Sequence, residues 1–150
     1  MSKSLGNFFT IRDILKKYNP AVVRYFLLST HYRLPIDFSD ALLEQSKNSL
    51  ERLRDFMRRL KKGTGSTASD AFDDTSSLSA FQKGFELAME DDFEISLALK
   101  AVFDLVRYVN AEMDRQPLTS KFLEAALDIM KKIDSVLGVL EENQETDEDI

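Results

Sequence analysis

The sequence predicts an all-α protein, because apolar residues recur three and four positions apart along nearly its whole length. Runs that alternate polar and apolar residues, which would indicate strands, are nearly absent. Each amphipathic segment would leave its apolar stripe in water unless it shared a core with the others. We therefore expect a helical bundle over residues 39–140, preceded by a smaller helical unit over residues 1–38.

Two short helices are expected in the smaller unit. Thr10 suits the N-cap of a helix over about 11–17. Asn19 and Pro20 restart the chain, because Asn favours the N-cap position and Pro the first helical position. The second helix should end near Thr30. Its buried face is predicted to consist of Val22, Val23, Phe26 and Leu27.

The longest predicted helix begins after Ser39, its N-cap, and covers about residues 40–61. Its spacings of three and four define one seam that packs on partner helices. The seam consists of Leu43, Ser46, Leu50, Leu53, Met57 and Leu60. Residues 63–77 are rich in Gly, Ser, Thr and Asp, and we expect them to form a flexible acidic linker.

Three further helices complete the predicted bundle. They begin near Leu78, Ile95 and Leu123, and a break at Gln116 and Pro117 separates the last two. Residues 141–150 contain six acidic residues and no basic one. Because such a segment cannot bury apolar surface, we expect a disordered acidic tail.

The net charge of −6 is unevenly distributed. Residues 1–62 contain 13 Lys and Arg against 6 Asp and Glu, a balance of +7, whereas residues 63–150 have a balance of −13. An acidic surface repels a polyanion, so any nucleic-acid contact is expected within residues 1–62. Ordinary solvated surface charge explains the same pattern and remains an alternative.

Composition excludes several classes of protein. The chain has no Cys, which excludes disulfides and thiolate metal sites. No run approaches the ~18 apolar residues that span a bilayer, and the N-terminus lacks the apolar region of a signal peptide. These features predict a cytoplasmic protein that does not enter a membrane.

The first residues are suited to phosphate chemistry. Lys3 lies between two hydroxyl residues, Ser2 and Ser4, and Gly6 allows the backbone to turn closely behind them. A lysine on such a loop can place a positive charge beside a phosphate that is being displaced, and the two hydroxyls can donate hydrogen bonds to it. A start Met followed by polar residues without function is the alternative.

A longer stretch carries a family resemblance. Ser2-Lys3-Ser4-Leu5-Gly6-Asn7-Phe8 resembles the KMSKS signature loop of class I aminoacyl-tRNA synthetases. Residues 22–33, VVRYFLLSTHYR, and residues 34–39, LPIDFS, are similar to the region that follows this loop in the cysteinyl-tRNA synthetases. Residues 88–93, 98–107 and 137–140 resemble the helical-bundle domain of the same class Ia family.

The resemblance implies a fold and a role. Residues 1–38 would hold the end of the catalytic domain and a segment that contacts the tRNA stem, and residues 39–140 would form an anticodon-binding helical bundle. The full enzyme would adenylate cysteine with ATP and transfer it to the tRNA specific for cysteine. The chain would be a C-terminal fragment that begins inside the signature loop and is inactive alone.

The resemblance also assigns residues. Lys3 would be catalytic, and Ser2, Lys3 and Ser4 would bind ATP. Contacts to tRNA would come from Arg12, Lys16, Lys17, Arg24 and Arg33. Zinc is expected in the full-length enzyme, but its ligands are not in this chain.

Two rival interpretations stay open. A stand-alone helical module would bind a protein partner and ignore tRNA, which a gel shift with total tRNA would reveal. A related ligase that joins cysteine to an amino sugar would need no anticodon-binding bundle, so residues 39–140 argue against it.

The cations at the end of the long helix, which include Arg54 and Arg59, are also open to two explanations. They suit the negative end of the helix dipole as well as they suit RNA.

Overall fold

The computed structural model describes residues 11–29, 39–91 and 94–140. Within these residues the chain forms six α-helices and no β-strand, which confirms the predicted all-α class. The helices are α1 (Ile11–Lys17), α2 (Pro20–Ser29), α3 (Asp40–Lys62), α4 (Ser76–Glu90), α5 (Ile95–Arg115) and α6 (Ser120–Leu137). No helix of the described part is long and apolar enough to cross a membrane.

The predicted break between α1 and α2 is confirmed. The side chain of Asn19 accepts a hydrogen bond from the backbone N–H of Ala21 at 2.8 Å, and Pro20 is the first residue of α2. One detail was wrong: Leu27 is 41% exposed, and Tyr25 is buried in its place. Tyr25 lies three residues after Val22 and directly before Phe26, so it widens the buried stripe on the side opposite Leu27.

Helix α3 matches its predicted pattern closely. The Ser39 hydroxyl accepts a hydrogen bond from the backbone N–H of Leu42 at 3.1 Å, as an N-cap does. All six residues of the predicted seam are buried, and Phe56 joins them. This seam packs against α2, α5 and α6, so α3 is the central helix of the bundle.

The segment between α3 and α4 is tied to the start of α6. The backbone N–H of Ser66 donates to the carbonyl of Leu118 at 2.8 Å, and Phe72 exchanges backbone hydrogen bonds with residues 117 and 119. The Phe72 ring also meets Phe122 edge-on, with centroids 5.2 Å apart. Helix α4 already begins at Ser76, so two residues of the predicted linker 63–77 are helical. Phe72 thus gives the rest of this segment an apolar anchor, and the flexibility expected for it stays a prediction.

Helices α4 and α5 form a hairpin, and α6 returns across α3 and α4. One hydrophobic core unites all six helices, and it extends from Ile14 in α1 to Leu140 beyond α6. The core is therefore continuous across the boundary predicted at residues 38 and 39. The predicted acidic tail, residues 141–150, lies outside the described residues.

Candidate nucleic-acid interface

Helix α1 presents cations because its other side is buried. Ile14 and Tyr18 face the core with 2% and 5% exposure, and residues 12, 13 and 15–17 are exposed to solvent. Arg12 and Lys16 are both exposed and lie four residues apart, so they are neighbours on one helix face. Neither has an ion-pair partner within the described part of the chain. Among the predicted tRNA-binding residues that the structure describes, these two have the fewest contacts with other side chains.

Lys17 is engaged, but only loosely. Its Nζ lies 3.0 Å from Oδ1 of Asp40, and the two side chains are 58% and 51% exposed. An exposed ion pair of this kind contributes roughly 0–1 kcal/mol, so an approaching phosphate can replace the carboxylate. The hydrogen bond from Lys17 holds the pKa of Asp40 below its usual range, and a second one from Tyr18 acts in the same direction.

Tyr18 completes this contact between α1 and α3. Its hydroxyl donates to Oδ1 of Asp40 at 3.1 Å. Burial raises the pKa of Tyr18 to about 12, and the hydrogen bond to Asp40 adds to the increase because the carboxylate would repel a phenolate. The tyrosine therefore stays neutral and anchors the end of α1 on the first turn of α3.

Arg24 has a different environment from the cations of α1. Its Nε donates to the backbone carbonyl of Leu137, the last residue of α6, at 2.7 Å. The side chain still reaches solvent, but its orientation is fixed by the bundle. Arg12, Lys16 and Lys17 thus lie together on α1. Arg24 lies apart from them and binds the end of α6.

Two arginines of α3 have side-chain partners on α5. Arg59 donates to Oδ1 of Asn110 at 2.8 Å and to Oδ1 of Asp114 at 2.6 Å. The guanidinium of Arg52 lies 5.2 Å from the centre of the Phe103 ring. These contacts border a cleft of about 530 Å³ between α3 and α5 that contains both arginine and aspartate side chains. Its mixed charge gives it no clear preference for an anion.

Several predicted site residues cannot be placed. Ser2, Lys3, Ser4 and Arg33 lie outside the described residues. The proposed ATP contact therefore stays a prediction from the sequence. Within residues 11–29, 39–91 and 94–140, no three His, Cys, Asp or Glu side chains come together as a metal site.

Sequence reasoning missed a cluster at the end of α6. Arg54 donates to the carbonyl of Val139 through Nε at 3.2 Å and Nη2 at 2.9 Å. Gly138 has a left-handed backbone, with a φ of 66°, and ends the helix. A Gly directly after the apolar repeat was a readable stop signal, but nothing in the sequence indicated which arginines would reach the carbonyls there.

Two family models match the chain. Residues 1–48 match the model described as tRNA synthetases class I (C) catalytic domain, and residues 84–141 match the DALR domain. The first match includes α1, α2 and the start of α3. The second extends from within α4 to just beyond α6 and so covers most of the bundle.

Similar curated proteins are named Cysteine--tRNA ligase. The protein from Carboxydothermus hydrogenoformans is 41% identical over 145 residues, which cover 94% of this chain and 31% of that protein. The one from Pelotomaculum thermopropionicum is 42% identical, with 93% of this chain and 30% of the relative covered. The one from Bacillus licheniformis is 38% identical, with 100% and 33% covered. The chain thus spans about a third of the length of these relatives.

Proposed function

Because this chain belongs to the cysteine--tRNA ligase family, we propose that it forms the tRNA-docking part of an enzyme that attaches cysteine to its tRNA. In this proposal residues 1–38 include the signature loop and the stem-contact segment, and residues 39–140 form the anticodon-binding bundle. The observation that carries the proposal is the exposed pair of Arg12 and Lys16, which lies within the part that matches the catalytic-domain model.

The reaction proposed for the whole protein uses ATP as a substrate. The carboxylate of cysteine attacks the α-phosphorus of ATP, the bond from this phosphorus to the oxygen bridging to the β-phosphate breaks, and pyrophosphate leaves with additional negative charge. Lys3 would stabilise this charge, while Ser2 and Ser4 would donate hydrogen bonds to the phosphates. The role of Lys3 is electrostatic, since a lysine ammonium acts as a point charge on a flexible stem.

Zinc does not fit the donor set of this chain. The sequence has no Cys and one His, so it offers no thiolates and a single imidazole. If the whole protein holds zinc to recognise the substrate thiol, residues outside this chain supply its ligands.

Docking of tRNA would be electrostatic and would not read sequence. Arg12 and Lys16 would contact phosphates of the stem, and Lys17 would join them by exchanging Asp40 for a phosphate oxygen. Each contact releases condensed counterions, so binding should weaken steeply as salt increases. The acidic balance of residues 63–150 favours the amino-terminal part of the chain for these phosphate contacts to the stem.

The test compares two charge-matched double variants in a filter-binding titration with tRNA at several salt concentrations. Arg12→Gln with Lys16→Gln removes two exposed charges from α1, and Lys131→Gln with Lys132→Gln removes two exposed charges from α6. We expect the α1 variant to bind more weakly, and the slope of its log binding constant against log salt concentration to become shallower by about two. The α6 variant should keep the parent slope. Equal behaviour of the two variants would refute the placement of tRNA on α1.

A further inference from the structure

The chain reverses direction at the end of α6 in a tightly bonded turn. Gly138 takes the left-handed conformation, and its N–H donates to the carbonyl of Asp134 at 2.7 Å. The side-chain Oδ1 of Asp134 then accepts hydrogen bonds from the backbone N–H groups of Val139 and Leu140, both at 2.8 Å. This turn places Val139 and Leu140 in the core, with 1% and 3% exposure.

Two arginines from different helices hold the carbonyls of this turn. Arg24 of α2 donates to Leu137, and Arg54 of α3 donates through two nitrogens to Val139. A guanidinium is suited to this position, because the end of a helix exposes unpaired carbonyls and carries partial negative charge. We name these two side chains and the two carbonyls the arginine clamp.

The Arg24 half of the clamp joins the two parts of the chain that match different family models. Arg24 belongs to the match with the catalytic-domain model, whereas Leu137 and Val139 belong to the DALR match. The two residues Arg24 and Leu137 are 113 positions apart in the sequence. The contact therefore bridges the amino-terminal helices and the last helix of the bundle directly.

We propose that Arg24 and Arg54 are positioning residues: Arg54 fixes the end of α6 against α3, and Arg24 ties α2, and with it the cationic helix α1, to that end. This inference rests on the proposed function where it concerns tRNA, since a rigid link would hold the stem-contacting surface at a fixed angle to the anticodon-binding bundle. It also reassigns Arg24 from a phosphate contact to a structural one. Arg12 and Lys16 then contact RNA without help from Arg24.

The mechanical claim can be tested without tRNA. The chain has no Cys, so Lys16→Cys and Lys132→Cys introduce two unique sites for spin labels on exposed positions of α1 and α6. We expect a narrow distribution of label distances in the parent and a clearly broader one when Arg24→Gln and Arg54→Gln are added. Val139 and Leu140 amides should then exchange hydrogen about tenfold faster or more.

Two further variants show whether a broader distance distribution results from loss of the clamp. Arg24→Lys with Arg54→Lys retains both charges and folding, and should restore part of the narrow distribution because one ammonium donor remains at each carbonyl. Arg12→Gln, the matched control, should leave the distribution and the exchange rates unchanged. A distribution that stays narrow when both arginines are replaced by Gln would overturn the proposal.

Binding of tRNA separates the two roles of Arg24. As a positioning residue, Arg24→Gln should lower affinity severalfold while leaving the salt slope unchanged, and Arg12→Gln should reduce the slope by about one. A slope that falls as much in Arg24→Gln as in Arg12→Gln would show that Arg24 contacts a phosphate. If no variant or parent binds tRNA, the proposed function fails, and the distance measurement still decides the clamp.

Discussion

Replacing Gly138 with Ala should destabilise the protein, because the position requires a left-handed backbone. With a φ of 66°, any L-residue with a Cβ is strained there, at a cost of about 1–2 kcal/mol. The new Cβ would also lie 3.3 Å from both Nε and Nη2 of Arg24, so the guanidinium would have to move away from it.

That movement acts on the 2.7 Å hydrogen bond from Arg24 to Leu137. A hydrogen bond to a charged group contributes ~1.5–3 kcal/mol when fully formed, and only part of this is lost if the guanidinium shifts by a few tenths of an ångström. The two effects together predict a loss of about 1–3 kcal/mol in the free energy of unfolding. For a chain of this size Tm should fall by roughly 2–12 °C.

Gly84→Ala is the matched control for this experiment. Gly84 lies inside α4, and a Cβ there would make an ordinary 3.7 Å contact with the Cβ of Ala101. Ala is favoured over Gly in a helix interior by about 0.5–1 kcal/mol, so this variant should be stabilised. Urea unfolding of both variants shows whether each substitution raises or lowers the free energy of unfolding. If Gly138→Ala were neutral or stabilised, the turn and its contact with Arg24 would be wrong.

Three other predictions concern stability, pH and activity. Phe122→Ala should lower the free energy of unfolding by ~3–5 kcal/mol in urea titrations, because Phe122 is fully buried and also anchors Phe72. Stability should fall as pH rises from about 10, since the unfolded chain releases the Tyr18 proton there while the folded chain, with a Tyr18 pKa of about 12, retains it. The chain alone should not catalyse cysteine-dependent pyrophosphate exchange, because it spans about a third of the length of its ligase relatives.

Each of these predictions has a control. Leu97→Ala removes an apolar side chain that is 53% exposed and should cost far less than Phe122→Ala; equal losses would contradict the packing described for α6. Tyr18→Phe should flatten the alkaline loss of stability, and an unchanged pH profile would show that another group causes it. Exchange of radioactive pyrophosphate into ATP that requires both cysteine and this chain would disprove the expected inactivity.

Local patterns were sufficient to predict the helices. The seam of α3 was read from spacings alone, and every one of its positions from Leu43 to Leu60 is buried. The cap at Ser39 and the restart at Asn19 and Pro20 were equally readable. These features depend on residues within one or two turns, which is the range over which sequence patterns are informative.

Contacts between distant segments could not be predicted in this way. Phe72 lies in a stretch whose composition indicates a linker, yet its ring and backbone pair with residues that begin α6. The resemblance to a stem-contact segment groups Arg24 with Arg12 and Lys16, but the carbonyl that Arg24 binds is 113 positions away in the sequence. The sequence shows which residues are charged. Which of them already have a partner depends on how the helices pack.

The proposed position of tRNA on helix α1 can be tested directly by mapping where tRNA contacts the protein. Amide chemical shifts of the isotope-labelled chain can be followed by NMR while unlabelled tRNA specific for cysteine is added at low salt. We expect the largest changes to lie in α1, around Arg12 and Lys16, and to disappear as salt is raised. Changes centred on α5 and α6, with α1 unaffected, would contradict the proposed position.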